Sequence, residues 1–325
     1  LLGMPIRSLL AQKGAIRTPT ADHVILFRNG GGMTHIDTWD PKPGRPTAGP
    51  FKPINTSADG IQISEIFPQL AGQMKHASLI RSVTSPTVYA LRFNTGNGIT
   101  ADERVRKAMI MAVDRKAIID AVLGGQAKQI ASFQSELSFG YDPEMEPLPF
   151  DQAKARELLK EAGVAAGAPV QIDIRGNDAT FGEVTQAVAS YLQMVGLNAT
   201  IKPYETNVLL NDIIPQGKTG EMFQQSWGGW TLDYDNTAYL MYHTGERWNP
   251  YDSDKELDAL LESQRPMIDA EKREKVLQEI ARYAADRALE MPLYNLNAIY
   301  GVNKRVKNFI APPDSRMRLN EVEVE

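Results

Sequence analysis

At 325 residues, 42% hydrophobic and 23% charged, the chain is long enough for two domains, and no apolar run reaches the length that predicts a membrane-spanning helix. A net charge of −5 without a basic cluster argues against a binder of phosphate backbones, so no nucleic acid partner is expected. The absence of cysteine excludes disulfides, thiolate zinc sites and cysteine nucleophiles.

Residues 1–12 are apolar and small, and read either as the remnant of an export signal within a leader of residues 1–21 or as a frayed terminal helix. His23-Val24-Ile25-Leu26-Phe27 predicts a buried strand that feeds Gly30, Gly31 and Gly32. Pro41, Pro43, Pro46, Pro50 and Pro53 then exclude long helices. A short helix over 64–74, capped by Ser64, and a strand Leu79-Ile80-Arg81-Ser82-Val83 follow. Together these elements make a poor independent core.

The texture changes near residues 84–92, after which helices and strands alternate. Thr100 and Glu103 have capping-box spacing before Val105, Ala108, Met109 and Ala112 at helical intervals. Asp114 caps a second helix that Gly124-Gly125 stops, and Asp151 caps a third over 152–162, ending at Gly163. A strand at 170–174, a helix over 183–195 ended by Gly196, and a strand at 198–204 form a βαβ unit. A strand at 222–227 delivers the chain to an aromatic and acidic loop. Two helices, over 255–264 and 270–289, and a strand over 293–302 complete an α/β region.

In that loop Trp227, Trp230, Asp233, Tyr234 and Asp235 bring carboxylates beside flat apolar faces, the chemistry a buried cationic group needs. The same residues also suit a plainer role, with the tryptophans in the core and the aspartates in a turn and a helix cap. His243 follows on a helix with no second histidine nearby, and reads as a packing or surface residue. His35 and Asp37, after the glycine triplet, are weak metal candidates. A hydrolytic centre needs about three protein ligands, and neither a P-loop nor a dinucleotide spacing follows the glycines, so no metal or cofactor is expected.

Phe93-Asn94-Thr95, Asp102-Glu103-Arg104-Val105-Arg106-Lys107-Ala108-Met109 and Val113-Asp114-Arg115-Lys116-Ala117-Ile118 resemble a signature of family five of the bacterial extracellular solute-binding proteins. Further matches keep the family's order: Phe150-Asp151, the Trp227 to Asp235 loop, Leu257 to Leu261, Met291-Pro292-Leu293-Tyr294, and Val302 to Phe309. The resemblance implies that residues 88–325 are the carboxy-terminal lobe of a type II periplasmic-binding-protein clamshell, not an enzyme. It implies a monomeric, periplasmic or extracytoplasmic receptor that traps a peptide or similar small solute between two α/β lobes and passes it to an ABC permease. It also implies that an aspartate of the loop pairs with the amino terminus of a peptide. The family's stretch is Asp-Tyr-Pro-Asp-Pro, whereas this chain has Asp233-Tyr234-Asp235-Asn236-Thr237, one residue shorter and without either proline.

Residues 22–87 resemble something else. Asn29-Gly30-Gly31, His35-Ile36-Asp37-Thr38, Asp40-Pro41-Lys42-Pro43, Gly49 to Ile54 and Gly60 to Glu65 are similar to the start of the sulfatase-related domain-of-unknown-function 1501 family. The chain thus reads as two family fragments spliced inside Ser85-Pro86-Thr87-Val88. The alternatives to a solute-binding role are an exported sulfatase- or alkaline-phosphatase-like hydrolase fragment, or a fusion without function.

Overall fold

The computed structural model describes residues 50–228, 231–303, 305–312 and 322–324. The strand expected at 24–27, the glycine triplet, His35, Asp37 and Trp230 lie outside them. Two short antiparallel strands, β1 (Pro53–Asn55) and β2 (Gln62–Ser64), precede helix α1 (Pro68–Gln73). Ser64 does not cap that helix, because it is paired with Pro53 in β2. The helix starts instead at Pro68, whose fixed φ suits the first helical position. Among the described residues, Ile63, Ala71 and Met74 are the buried apolar residues of this small unit.

The remainder is an α/β lobe. A six-stranded sheet has the order β4-β8-β3-β7-β5-β6, formed by β3 (Ala77–Phe93), β4 (Ala127–Gln129), β5 (Pro169–Arg175), β6 (Asn198–Tyr204), β7 (Met222–Trp227) and β8 (Glu290–Asn303). β5 is parallel to both β6 and β7, as the βαβ reading requires, and β3 is antiparallel to β7 and β8. Helices α2 (Glu103–Ala112), α3 (Arg115–Ala121), α4 (Gln152–Glu161) and α5 (Ala179–Met194) share one core with Leu91 and Phe93 of β3. Helices α6 (Tyr234–Tyr242), α7 (Lys255–Ser263) and α8 (Ala270–Asp286) share a second core with Val88 and Ala90. The alternation along β3 therefore sends successive side chains to opposite faces of the sheet, each covered by helices. Two further two-residue strands, β9 (Val306–Lys307) and β10 (Glu323–Val324), pair with each other.

Every helix from α2 to α8 starts at an aspartate whose carboxylate accepts amide hydrogens of the first turn: Asp102, Asp114, Asp151, Asp178, Asp233, Asp254 and Asp269. Asp102, not Thr100, caps α2. The Thr100 hydroxyl donates instead to the Asn94 carbonyl at 2.6 Å.

The arginines of the signature act as internal staples. Arg106 is 3% exposed and donates to the Thr100, Ala101, Arg287 and Ala288 carbonyls. Arg115 donates to the Pro292 and Leu148 carbonyls, and burial lowers its pKa to about 10.

Strand β3 crosses the expected junction. Thr84 pairs with Asn297 and Val88 with Asn295, so residues 85–87 face a single residue of β8 and β3 carries two surplus residues there. Pro86, which has no amide hydrogen to give the ladder, sits in this irregularity. The Asn295 amide closes it by donating to Ser85 O (2.7 Å) and Thr87 O (2.6 Å).

Gly140 is a close-packed point of the second core. Its φ is +86°, and a Cβ there meets Leu277 Cβ of α8 at 2.6 Å. Gly140→Ala combines left-handed backbone strain with overpacking, and a loss of about 2–4 kcal/mol is expected from urea denaturation. A loss under about 0.5 kcal/mol would show that α8 yields at no cost.

Candidate solute-binding wall

Ligands of α/β sheets bind beyond the carboxyl ends of parallel strands. Here those ends place Arg175 (β5), Tyr204 (β6) and Trp227 (β7) side by side, since Arg175 pairs with Tyr204 and donates from Nη2 to Ser226 Oγ at 2.5 Å. Val88 pairs with both Trp227 and Asn295, which brings the 85–87 irregularity to the same edge.

Arg175 is half-buried and has no carboxylate within 4 Å among the described residues; its Nε is buried without a partner. Gln224 holds the backbone in place, accepting from the Arg175 amide (2.8 Å) and donating to Asp178 (2.9 Å). Tyr89 lies close by, stacked on Tyr294 at 4.9 Å, and burial together with the Asp178 carboxylate raises its phenol pKa. Local sequence reasoning passed over Arg175. The available signal is an arginine that ends an alternating strand immediately before Gly176-Asn177.

The loop after β7 is tied down by a parallel bridge between Phe139 and Asp233, in which Phe139 N donates to Leu232 O (2.7 Å) and Tyr234 N to Phe139 O (3.1 Å). Trp227 is half-buried against the second core and donates from Nε1 to Asn236 Oδ1 at 3.4 Å.

Asp233 caps α6 and accepts a two-point contact from Arg273 at 2.6 and 2.9 Å. Asp235 accepts from Arg265 Nε (3.1 Å) and Nη2 (3.2 Å), and from the Gln264 amide. Tyr234 is 1% exposed and packs inside the second core, so its side chain belongs to the interior of the lobe and not to a solvent-facing wall. Of the five loop residues singled out, four are thus described: two paired carboxylates, one half-buried indole and one core phenol.

His243 ends α6, stacked on Tyr239 at 4.3 Å and bonded through Nε2 to Glu262 at 2.9 Å. Burial lowers its pKa, but the hydrogen bonds to Glu262 and Thr244 outweigh that and raise it. No cluster of three metal-ligating side chains occurs among the described residues.

Beside this edge is a polar recess of about 270 Å³ lined by Lys128, Gln134, Glu136, Asp142 and Asn295, among others. Glu136 links it to the junction, accepting from Thr84 Oγ1 at 2.9 Å, and its contact with Lys128 lowers its pKa. The recess falls below the roughly 300–1,000 Å³ of a self-contained small-molecule site.

Residues 57–249 match the family described as bacterial extracellular solute-binding proteins, family 5 middle. The chain belongs to this family. The matched residues contain the signature at 102–118 and the loop at 227–235, and they begin upstream of the Ser85–Val88 junction.

Among curated relatives of this family-5 chain, Di/tripeptide-binding protein 3 of Pseudomonas aeruginosa (strain UCBPP-PA14) is 29% identical over 228 residues, covering 65% of this chain and 41% of that protein. The dipeptide-binding protein of Escherichia coli (strain K12) is 26% identical over 273 residues, covering 79% and 50%. The chain therefore spans about half, or less, of the length of these relatives.

Solved structures with the same fold include a putative peptide binding protein, AppA, from Clostridium difficile (TM-score 0.70, 22% identity, 77% of this chain and 53% of that one). DppA from Helicobacter pylori, in complex with the peptide STSA, gives a TM-score of 0.67 at 20% identity, with 78% and 50% covered. The lobe is the α/β lobe of a type II periplasmic-binding-protein fold, as the sequence resemblance implied.

Proposed function

We propose that the chain supplies one wall of the interlobe cleft of an ABC importer's substrate-binding component. In this reading it works outside the cytoplasm as a monomer, takes di- or tripeptides or similar small solutes, and delivers them to a membrane permease. The observation that carries the reading is the Arg175 guanidinium at the carboxyl end of β5, bonded to Ser226 with no carboxylate partner among the described residues, on the sheet edge to which the pairing of Val88 brings Trp227 and Asn295. Arg175 suits the carboxylate of a peptide, Trp227 offers an apolar face, and the Asp233 to Asp235 loop forms the rim. The relatives named for di- and tripeptides support the same solute class.

Affinity in a clamshell comes from enclosing the solute on two sides, and exposed ion pairs contribute only about 0–1 kcal/mol each. Calorimetric titration of the chain with mixed di- to pentapeptides is therefore expected to give dissociation constants weaker than about 1 μM. Submicromolar binding would refute the single-wall reading.

The same proposal takes residues 22–87 as a fragment of sulfatase-like ancestry joined to the receptor lobe at residues 85–88. Its support is the motif run around Gly30 to Asp40, which lies upstream of the family match that begins at residue 57.

A further inference from the structure

Both loop carboxylates are already matched within the lobe, and this narrows the solute, provided that the wall binds one as proposed above. Asp233 meets Arg273 through both oxygens and also accepts the Asp235 amide. Asp235 meets Arg265 through both oxygens and also accepts the Gln264 side chain.

The two arginines are held from a second side. Arg273 also donates to Gln264 Oε1 at 2.9 Å and lies 5.4 Å from the Phe139 ring, while the Arg265 guanidinium sits 3.4 Å over the Tyr239 ring. An ammonium group arriving at either aspartate meets a neutralised pair, and it must displace a guanidinium fixed by stacking as well as by charge. Arg175, in contrast, has no carboxylate partner among the described residues.

We infer that this wall recognises its solute through an anionic group without a free amine, so that an amino-terminally blocked dipeptide binds as well as the unblocked one.

The test is NMR titration of the whole chain at millimolar ligand, following the Trp227 indole, with Ala-Ala, N-acetyl-Ala-Ala and Ala-Ala-amide. The acetylated dipeptide is expected to bind no more than about threefold weaker than Ala-Ala, and the amide about tenfold weaker than both. Ala-Ala binding more than about threefold tighter than its acetylated form, with Trp227 still responding, would overturn the inference and leave the wall in place. An amide that binds as well as the acids would overturn it too. No response of Trp227 to any of the three would overturn both this inference and the proposed function.

Arg265→Ala provides the converse arm. Arg265 has 46% of its side chain exposed, so the variant is expected to fold, and freeing Asp235 is expected to raise the preference for Ala-Ala over the acetylated form by about threefold or more. An unchanged ratio would mean that Arg265 does not mask Asp235, which the inference does not survive.

Discussion

Arg106→Lys is expected to cost about 3–5 kcal/mol of folding stability and to lower Tm by roughly 10 °C, although the charge is kept. The guanidinium reaches four carbonyls, Thr100 and Ala101 on one side and Arg287 and Ala288 on the other, with contacts of 2.6 to 3.2 Å. It thereby ties the turn before α2 to the corner between α8 and β8. A lysine ammonium is a compact point donor that cannot fan across both corners, so at least two buried carbonyls lose their partners.

Arg104, two positions away in the same signature, is the control. It is half exposed and pairs with Asp102 on the surface, so Arg104→Lys is expected to change stability by less than about 1 kcal/mol. Urea denaturation of both variants decides the matter. Equal effects would mean that the Arg106 staple is not what the signature protects.

Glu290→Gln is expected to stabilise the chain at pH 8 by about 2–3 kcal/mol and to do little at pH 5. Glu290 is 2% exposed; Oε1 accepts the Tyr242 hydroxyl at 3.0 Å, and Oε2 is buried with no partner among the described residues. Burial raises its pKa from the usual 4.5 to about 7, against the opposing pull of Arg92 across the β3–β8 pair. Arg92 does not form an ion pair with it, because that guanidinium donates to the Met241 and Trp248 carbonyls.

The sign follows from the raised value. The folded chain holds this proton more tightly than the unfolded chain, so stability is full below about 4.5 and declines as pH rises through about 7. Glutamine keeps the acceptor for Tyr242 and has no charge to bury. The pKa of His243 is raised by its hydrogen bonds to Glu262 and Thr244 in both proteins, so its contribution cancels from their difference. Urea midpoints of both proteins at pH 5 and pH 8 provide the measurement. A gain that is the same at both pH values would rule out the titration.

Strands β6 and β7 were legible to the residue, β6 by its alternation after the stop at Gly196 and β7 as a short run that follows Gly220 and ends before Gly228. Strand β3 was not. Ser85-Pro86-Thr87 reads as a break, and the structure carries the ladder past it by an irregularity that only the partner strand β8 can accommodate. The starts of α3 and α4 were legible in their capping aspartates, Asp114 and Asp151, whereas α5 starts at Ala179, behind Asp178, four residues before the start read at 183. At α2 a threonine and an aspartate lay two residues apart, and the threonine was taken up by a tertiary contact to Asn94 instead.

The loop was harder for a chemical reason: a carboxylate that caps a helix and one that awaits a ligand look alike in sequence. What separates them here is Arg265 and Arg273, thirty and forty residues further along the chain and brought back by the packing of α7 and α8 on α6. Arg175 was missed for the converse reason. Its environment is assembled from the neighbouring strand through Ser226, which no local pattern announces.

The surplus at residues 85–87 has a parity, and the parity matters. Two extra residues between Thr84 and Val88 keep the phase across that step, and Val88 and Ala90 face α6 to α8 while Leu91 and Phe93 face α2 to α5. The same ladder absorbs a single-residue shift on either side, one surplus residue on β3 between Ile80 and Val83 and one on β8 between Tyr294 and Pro292. Three irregularities in one strand pair let β3 bend with the twist of the sheet while both of its faces stay covered by helices.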